Sequence, residues 1–117
     1  MLGADDVDRA VSFWSRALGY EPVRFPDEGN GFTILVPPSG EGTRVALQRA
    51  ETRPDEHPRV HLDLVVDDAG EQVAEIERLL GLGAARVAWD SYPPDPDFVV
   101  LADPEGNRFC VVDAGHG

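Results

Sequence analysis

A repeat is the feature that most constrains what this chain can fold into. Residues 5–18 (DDVDRAVSFWSRAL) and 67–80 (DDAGEQVAEIERLL) each open on an Asp pair, and Asp6 and Asp68 stand 62 residues apart. Leu18 and Leu80 keep that 62-residue spacing, while Phe32 and Phe98 are 66 apart and Arg44 and Arg108 are 64 apart. Near-constant offsets of this size mark two copies of one supersecondary unit that differ in loop length. In the first copy Val7, Ala10, Val11, Trp14, Ala17 and Leu18 recur at three and four residues, a helical core stripe. Asp5 or Asp6 supplies its N-cap and Gly19 its stop. In the second, Val73, Ile76, Leu79 and Leu80 face inward, and Gly81 or Gly83 ends the helix.

Strands are expected at residues 21–25, 32–36 and 44–49, and again at 59–66, 86–90, 98–102 and 108–112. Turn clusters such as PDEGNG and PPSGEG separate them. The expected fold class is α+β: two βαβββ units forming cupped mixed sheets with the helices on the outer face. A single domain would span 1–117, with unit one at 1–50, a polar linker at 51–58 and unit two at 59–117. The first copy has only residues 1–4 where the second has a full opening strand, so its first strand is short or missing. The sheet edge this leaves invites another chain, and a two-fold homodimer is expected.

At 117 residues, 42% hydrophobic and 27% charged, the chain suits one folded domain and not a disordered segment. No apolar run reaches the ~18 residues of a membrane span, and the first residues do not resemble a signal peptide. Cys110 is the only cysteine, which excludes a disulfide framework and a Cys-cluster metal site. A cytoplasmic location is expected. The net charge is −12 and every basic residue is Arg. Such a field repels nucleic acid and anionic lipid, and favours cationic small molecules or metal ions, if it does more than keep the protein soluble.

Alternation sorts the strand faces. Leu62, Leu64 and Val66 form one apolar face, with His61, Asp63 and Val65 opposite. Val45 and Leu47 belong to the helix side and Ala46 and Gln48 to the other; Phe109 and Val111 oppose Cys110 and Val112. Gln48, His61, Asp63 and Cys110 are therefore expected on one concave, helix-free surface, the kind of place where small molecules bind. Trp89 and Tyr92, beside the PPDPD stretch, read either as a lid that stacks on a ligand or as rim packing, and Asp90 would meet a cationic group there. Trp14 lies on the helix stripe and reads as core. The Gly-Asn turns lack a strand–loop–helix phosphate motif, and no serine has triad company.

The paired βαβββ pattern, FWSRALGYEP at the first helix end, HLDLVVDD entering the second, and the closing LADPEGNRFCVV together resemble the vicinal oxygen chelate superfamily. Within it the chain is most similar to the glyoxalase and bleomycin-resistance-like group. The resemblance implies a metal site with a His or Gln on the first strand, a Glu on the fourth, a His on the fifth and a Glu on the eighth. Carried across, only His61 matches. The first position falls before Met1 or in the stub, the fourth holds Gln48 and the eighth Cys110. No resident cofactor is expected, and no stoichiometric ion through His61, although the group leaves a divalent metal open. For His61 the alternative is a hydrogen-bonded pocket histidine, for Cys110 a small buried hydrophobe, and for Gln48 a solvated sheet residue. The resemblance thus implies a small-molecule binding protein, its ligand cationic if the overall charge decides. The alternative is a metal-dependent lyase, isomerase or dioxygenase of the same superfamily.

Overall fold

Two aspartates start the two helices. Asp6 sits in extended backbone and its carboxylate accepts from Arg9 N at 3.0 Å, so helix α1 runs Val7–Leu18; Asp68 accepts from Glu71 N at 2.8 Å and starts α2, Ala69–Leu82. Glu71 returns a bond to Asp67 N at 3.0 Å, satisfying another donor of that helix end. Gly19 ends α1 in the left-handed region at φ 68°, a conformation that a side chain would strain. The computed structural model describes residues 2–25 and 31–117. The turn expected over 26–31 lies, but for Gly31, outside the described residues.

The chain divides into two compact units, Met1–Pro54 and Asp55–Gly117. In the first, β1 (Leu2–Ala4), β2 (Glu21–Arg24), β3 (Phe32–Val36) and β4 (Val45–Arg49) form a sheet of order β1-β4-β3-β2, with β1 parallel to β4. In the second, β5 (Asp63–Val66), β6 (Ala85–Arg86), β7 (Phe98–Ala102) and β8 (Arg108–Asp113) repeat it as β5-β8-β7-β6, with β5 parallel to β8. The opening strand of the first unit is short, three residues. No helix is long and apolar enough to cross a membrane among the described residues.

Each core forms between a helix and one face of its sheet. Ala10, Phe13 and Trp14 of α1 are buried, the two rings meeting edge to face at 5.1 Å, and Leu35 and Leu47 are fully buried on the sheet. Phe13 extends the stripe expected from the sequence. In the second unit Ile76 and Leu79 of α2 are buried, as are Leu101, Phe109 and Val111 on the strands. Val73 was expected inward but is 61% exposed. Gln72 turns in instead, and its Nε2 donates to Val111 O at 3.0 Å and Asp97 O at 3.2 Å, tying the helix to the sheet through backbone acceptors.

Two strands are shorter than expected by more than one residue. The 59–66 strand begins only at Asp63, because residues 59–60 bend and Val60 is 88% exposed, although Leu62 O still accepts from Cys110 N at 2.9 Å. The 86–90 strand is reduced to Ala85–Arg86. Beyond it Tyr92 Oη accepts from Val100 N at 2.8 Å, taking the place of a strand partner on β7. The DPEGN turn sets the start of β8: buried Asp103 accepts from Glu105 N at 2.9 Å and Asn107 N at 2.8 Å, and Gly106 takes φ 88°.

Candidate functional site

The register of β8 decides what meets on the open face of the second sheet. Asp63 pairs with Cys110 and Val100 pairs with Cys110 from the other side, so the three lie in one row across three strands. Arg108 and Val112 flank Cys110 on the same face by alternation. With Pro58, His61, Trp89, Ser91, Asp97 and Phe98 they line a half-open cavity of about 410 Å³. That is within the ~300–1,000 Å³ of small-molecule sites.

Three donors converge at its centre. His61 Nδ1 lies 3.0 Å from Asp63 Oδ1, Cys110 Sγ lies 3.8 Å from the same nitrogen, and all three donor atoms fall within 4.8 Å of one another. The carboxylate only accepts, so His61 donates from Nδ1. His61 and Asp63 are exposed while Cys110 is buried. Burial above all, and then the charge of Asp63, push the Cys110 thiol up to about 11. It stays protonated at neutral pH and is a poor nucleophile there.

At the rim the ring of His57 stacks on Trp89 with centroids 4.8 Å apart, and its Nε2 donates to Asp90 Oδ1 at 2.8 Å. That bond, and next the one from Ser91 Oγ at 3.0 Å, hold the Asp90 carboxyl below its ordinary 3.8. Trp89 therefore lines the cavity and Asp90 braces it. Tyr92 is not among the lining residues; its ring packs on Phe98 at 5.2 Å and its hydroxyl serves β7.

Gln48 belongs to the first sheet, where it is exposed and pairs with Gly3 and Phe32. The two sheets can be aligned residue by residue. Leu2 and Leu64 each stand four residues before their helix cap, and they pair with Leu47 and Val111. Leu47 thus corresponds to Val111, Ala46 to Cys110, and Gln48 to Val112. The residue that corresponds to Cys110 is two positions before Gln48.

Arg108 was not singled out in the sequence. Its Nε and Nη1, and the indole Nε1 of Trp89, are shut off from solvent without a hydrogen-bond partner among the described residues. The signal was available, because a residue two before Cys110 on one strand must share its face.

The trio fits an ion of borderline softness. Imidazole nitrogen, carboxylate oxygen and thiolate sulfur suit Zn²⁺ and not Mg²⁺ or Ca²⁺, which want oxygen throughout. His61 Nδ1, Asp63 Oδ1 and Cys110 Sγ would hold it, with the imidazole in the tautomer protonated at Nε2 and the thiol proton expelled. When bound, such an ion supplies Lewis-acid polarisation of a ligand oxygen.

Paired βαβββ units with a lined cavity on the second sheet define the class of fold. The glyoxalase-like domain family matches residues 1–112, and the chain belongs to that family, within the vicinal oxygen chelate superfamily. No curated protein sequence matches it. Among solved structures it resembles a protein of Agrobacterium tumefaciens determined by solution NMR, at 18% identity and TM-score 0.74, over 96% of this chain and 91% of that one. It also resembles a glyoxalase/bleomycin resistance protein/dioxygenase family enzyme from Burkholderia phytofirmans PsJN, at 16% identity and TM-score 0.71, over 96% and 93% of the two chains. A third is the fosfomycin resistance protein FosX of Listeria monocytogenes, at 12% identity and TM-score 0.69, over 96% and 85%.

Proposed function

We propose that this protein binds a small organic molecule in the cavity of its second unit. The observation that carries this is the 410 Å³ space, with an apolar wall of Phe98, Val100 and Val112 and polar groups converging from His61, Asp63 and Arg108. Apolar walls supply most of the binding free energy, and a few fixed polar groups orient the ligand. Catalysis is not needed for this reading, since the thiol is held protonated and the imidazole is committed to Asp63. A library of small organic molecules screened by ligand-observed NMR should yield hits on the native protein. A Val112→Trp variant that keeps the native far-UV spectrum should lose them. Hits that persist in the filled variant would show that binding lies elsewhere.

The convergence of His61, Asp63 and Cys110 favours a second reading, a metal-dependent lyase, isomerase or dioxygenase. Elemental analysis of protein purified without chelators discriminates. About one metal per chain, lost in His61→Ala, selects the enzyme; its absence, with binding intact, selects the binding protein.

A further inference from the structure

The net charge of −12 favours cationic ligands, yet one group in the cavity lining, Arg108, carries the opposite signal. Long-range fields are screened within about 8 Å at physiological ionic strength, so the groups that touch a ligand outweigh the total. Arg108 lines the cavity, and its guanidinium makes no hydrogen bond or ion pair with any described residue. Three exposed arginines are matched, Arg24 with Asp8, Arg78 with Glu75 and Arg86 with Glu77, and exposed ones such as Arg44 and Arg59 have water, whereas Arg108 is half-buried. A half-buried cation whose Nε and Nη1 are cut off from water and unpaired is costly to the fold unless an anion or acceptor arrives to meet it. The indole N–H of Trp89, in the same lining, is a second buried donor with no acceptor among the described residues.

Charge count narrows the anion. Asp63 and Asp97 also line the cavity, so a dianion would face two carboxylates with one cation to hold it. A monocarboxylate leaves Arg108 matched one for one, and its two oxygens fit the planar guanidinium fork. The apolar wall of Phe98, Val100 and Val112 needs a hydrocarbon or aromatic body.

We propose that the cavity takes a small apolar or aromatic monocarboxylic acid, its carboxylate met first by Arg108 Nη2, the guanidinium nitrogen not shut off from solvent, with the Trp89 N–H as second donor once the entering ligand turns the two side chains toward it. This rests on the cavity being the ligand site. The test uses the whole chain and four probes of one shape: phenylacetate, phenylacetamide, benzylphosphonate and phenethylamine, followed by tryptophan fluorescence and ligand-observed NMR. Phenylacetate should bind about tenfold or more tightly than its amide, as expected when a charge-assisted hydrogen bond is lost, and more tightly than the phosphonate or the amine. Arg108→Met should abolish the preference of acid over amide while leaving the melting temperature unchanged or raised, because it removes an unpaired buried cation. Arg108→Lys should restore part of that preference, and Trp89→Phe should weaken the acid by a smaller factor. Equal binding of acid and amide, a phosphonate preference, or an acid preference that survives Arg108→Met would each overturn the assignment. If the amide or amine binds and Val112→Trp removes it while the acid does not bind, the site stands and the carboxylate class falls. If no probe binds and the library screen is also silent, the reading of the cavity as a ligand site fails first.

Discussion

The two units share strand order, helix capping and register, and differ in what they place on the open face. At matched positions the first sheet has Ala46 and Ile34 where the second has Cys110 and Val100. Gln48 stands where the second has Val112. Arg44 corresponds to Arg108, yet Arg44 is exposed while Arg108 is half-buried in the cavity lining. The helix-facing sets, by contrast, stay apolar at the anchors: Leu47 and Val111 are both fully buried. Duplication therefore explains the scaffold, and the polar chemistry of the open face belongs to the second copy.

The largest test of this comparison is on the shared anchors. Leu47→Ala and Leu101→Ala should each cost about 2–5 kcal/mol in urea denaturation, because each empties a fully buried site. Asp63→Asn, on the open face, should cost little. A large loss for Asp63→Asn with a mild one for Leu101→Ala would reverse the two faces.

One core position differs between the copies. Thr33 corresponds to Val99; its Oγ1 is fully buried and has no partner among the described residues. Thr33→Val should therefore stabilise the protein by about 1 kcal/mol, since a buried unsatisfied hydroxyl is replaced by a methyl of similar shape. A loss of stability in the same assay would mean that the hydroxyl is satisfied in solution.

The thiol gives a comparison by reactivity. Cys110 should alkylate slowly at neutral pH, and Asp63→Asn should bring its pKa down from about 11 and speed the reaction. Cys110→Ala, Ala46→Cys places the only thiol on the matched, less buried position of the first sheet, where alkylation should be faster. The fold favours the neutral thiol, so the stability from this group is complete below the ordinary 9.0 and falls as pH rises toward 11. Cys110→Ala should flatten that alkaline limb.

The smallest effect is at the rim. Asp90 is held below its ordinary 3.8 by His57, so its contribution is present above that value and is lost as pH falls through the lowered pKa. The Trp89 indole resonance should report that loss on acidification, and Asp90→Asn should remove the step. The indole of Trp14, locked in the first core, should not follow it.

The helices, the succession of strands in each unit and the shared face of Asp63 and Cys110 were legible because burial repeats with a fixed period. Phe32–Val36 and Phe98–Ala102 have the expected bounds, and Asp63 and Cys110 share the face that alternation assigns them. What periodicity misread has local physical causes. Val87 and Trp89 resemble strand residues, yet a tyrosine hydroxyl serves Val100 N where further β6 pairing was expected. Val73 was read inward because an apolar residue is the default there, while Gln72 gains two carbonyl acceptors by turning in. Gln48 was placed by counting, and only the pairing of Leu2 with Leu47 reveals the two-residue offset. Arg108 was read only as the first residue of a strand, since an unpaired guanidinium becomes visible only when its surroundings are known.

The central claim is that ligand chemistry belongs to the open face of the second unit. An NMR titration with phenylacetate, observing the two indole N–H resonances, the Gln48 side-chain amide and the Arg108 Nε–H, tests it most directly. Trp89 and Arg108 should shift together and saturate, while Trp14 and Gln48 stay in place. Saturable shifts of Gln48 with Trp89 and Arg108 unmoved would contradict the account.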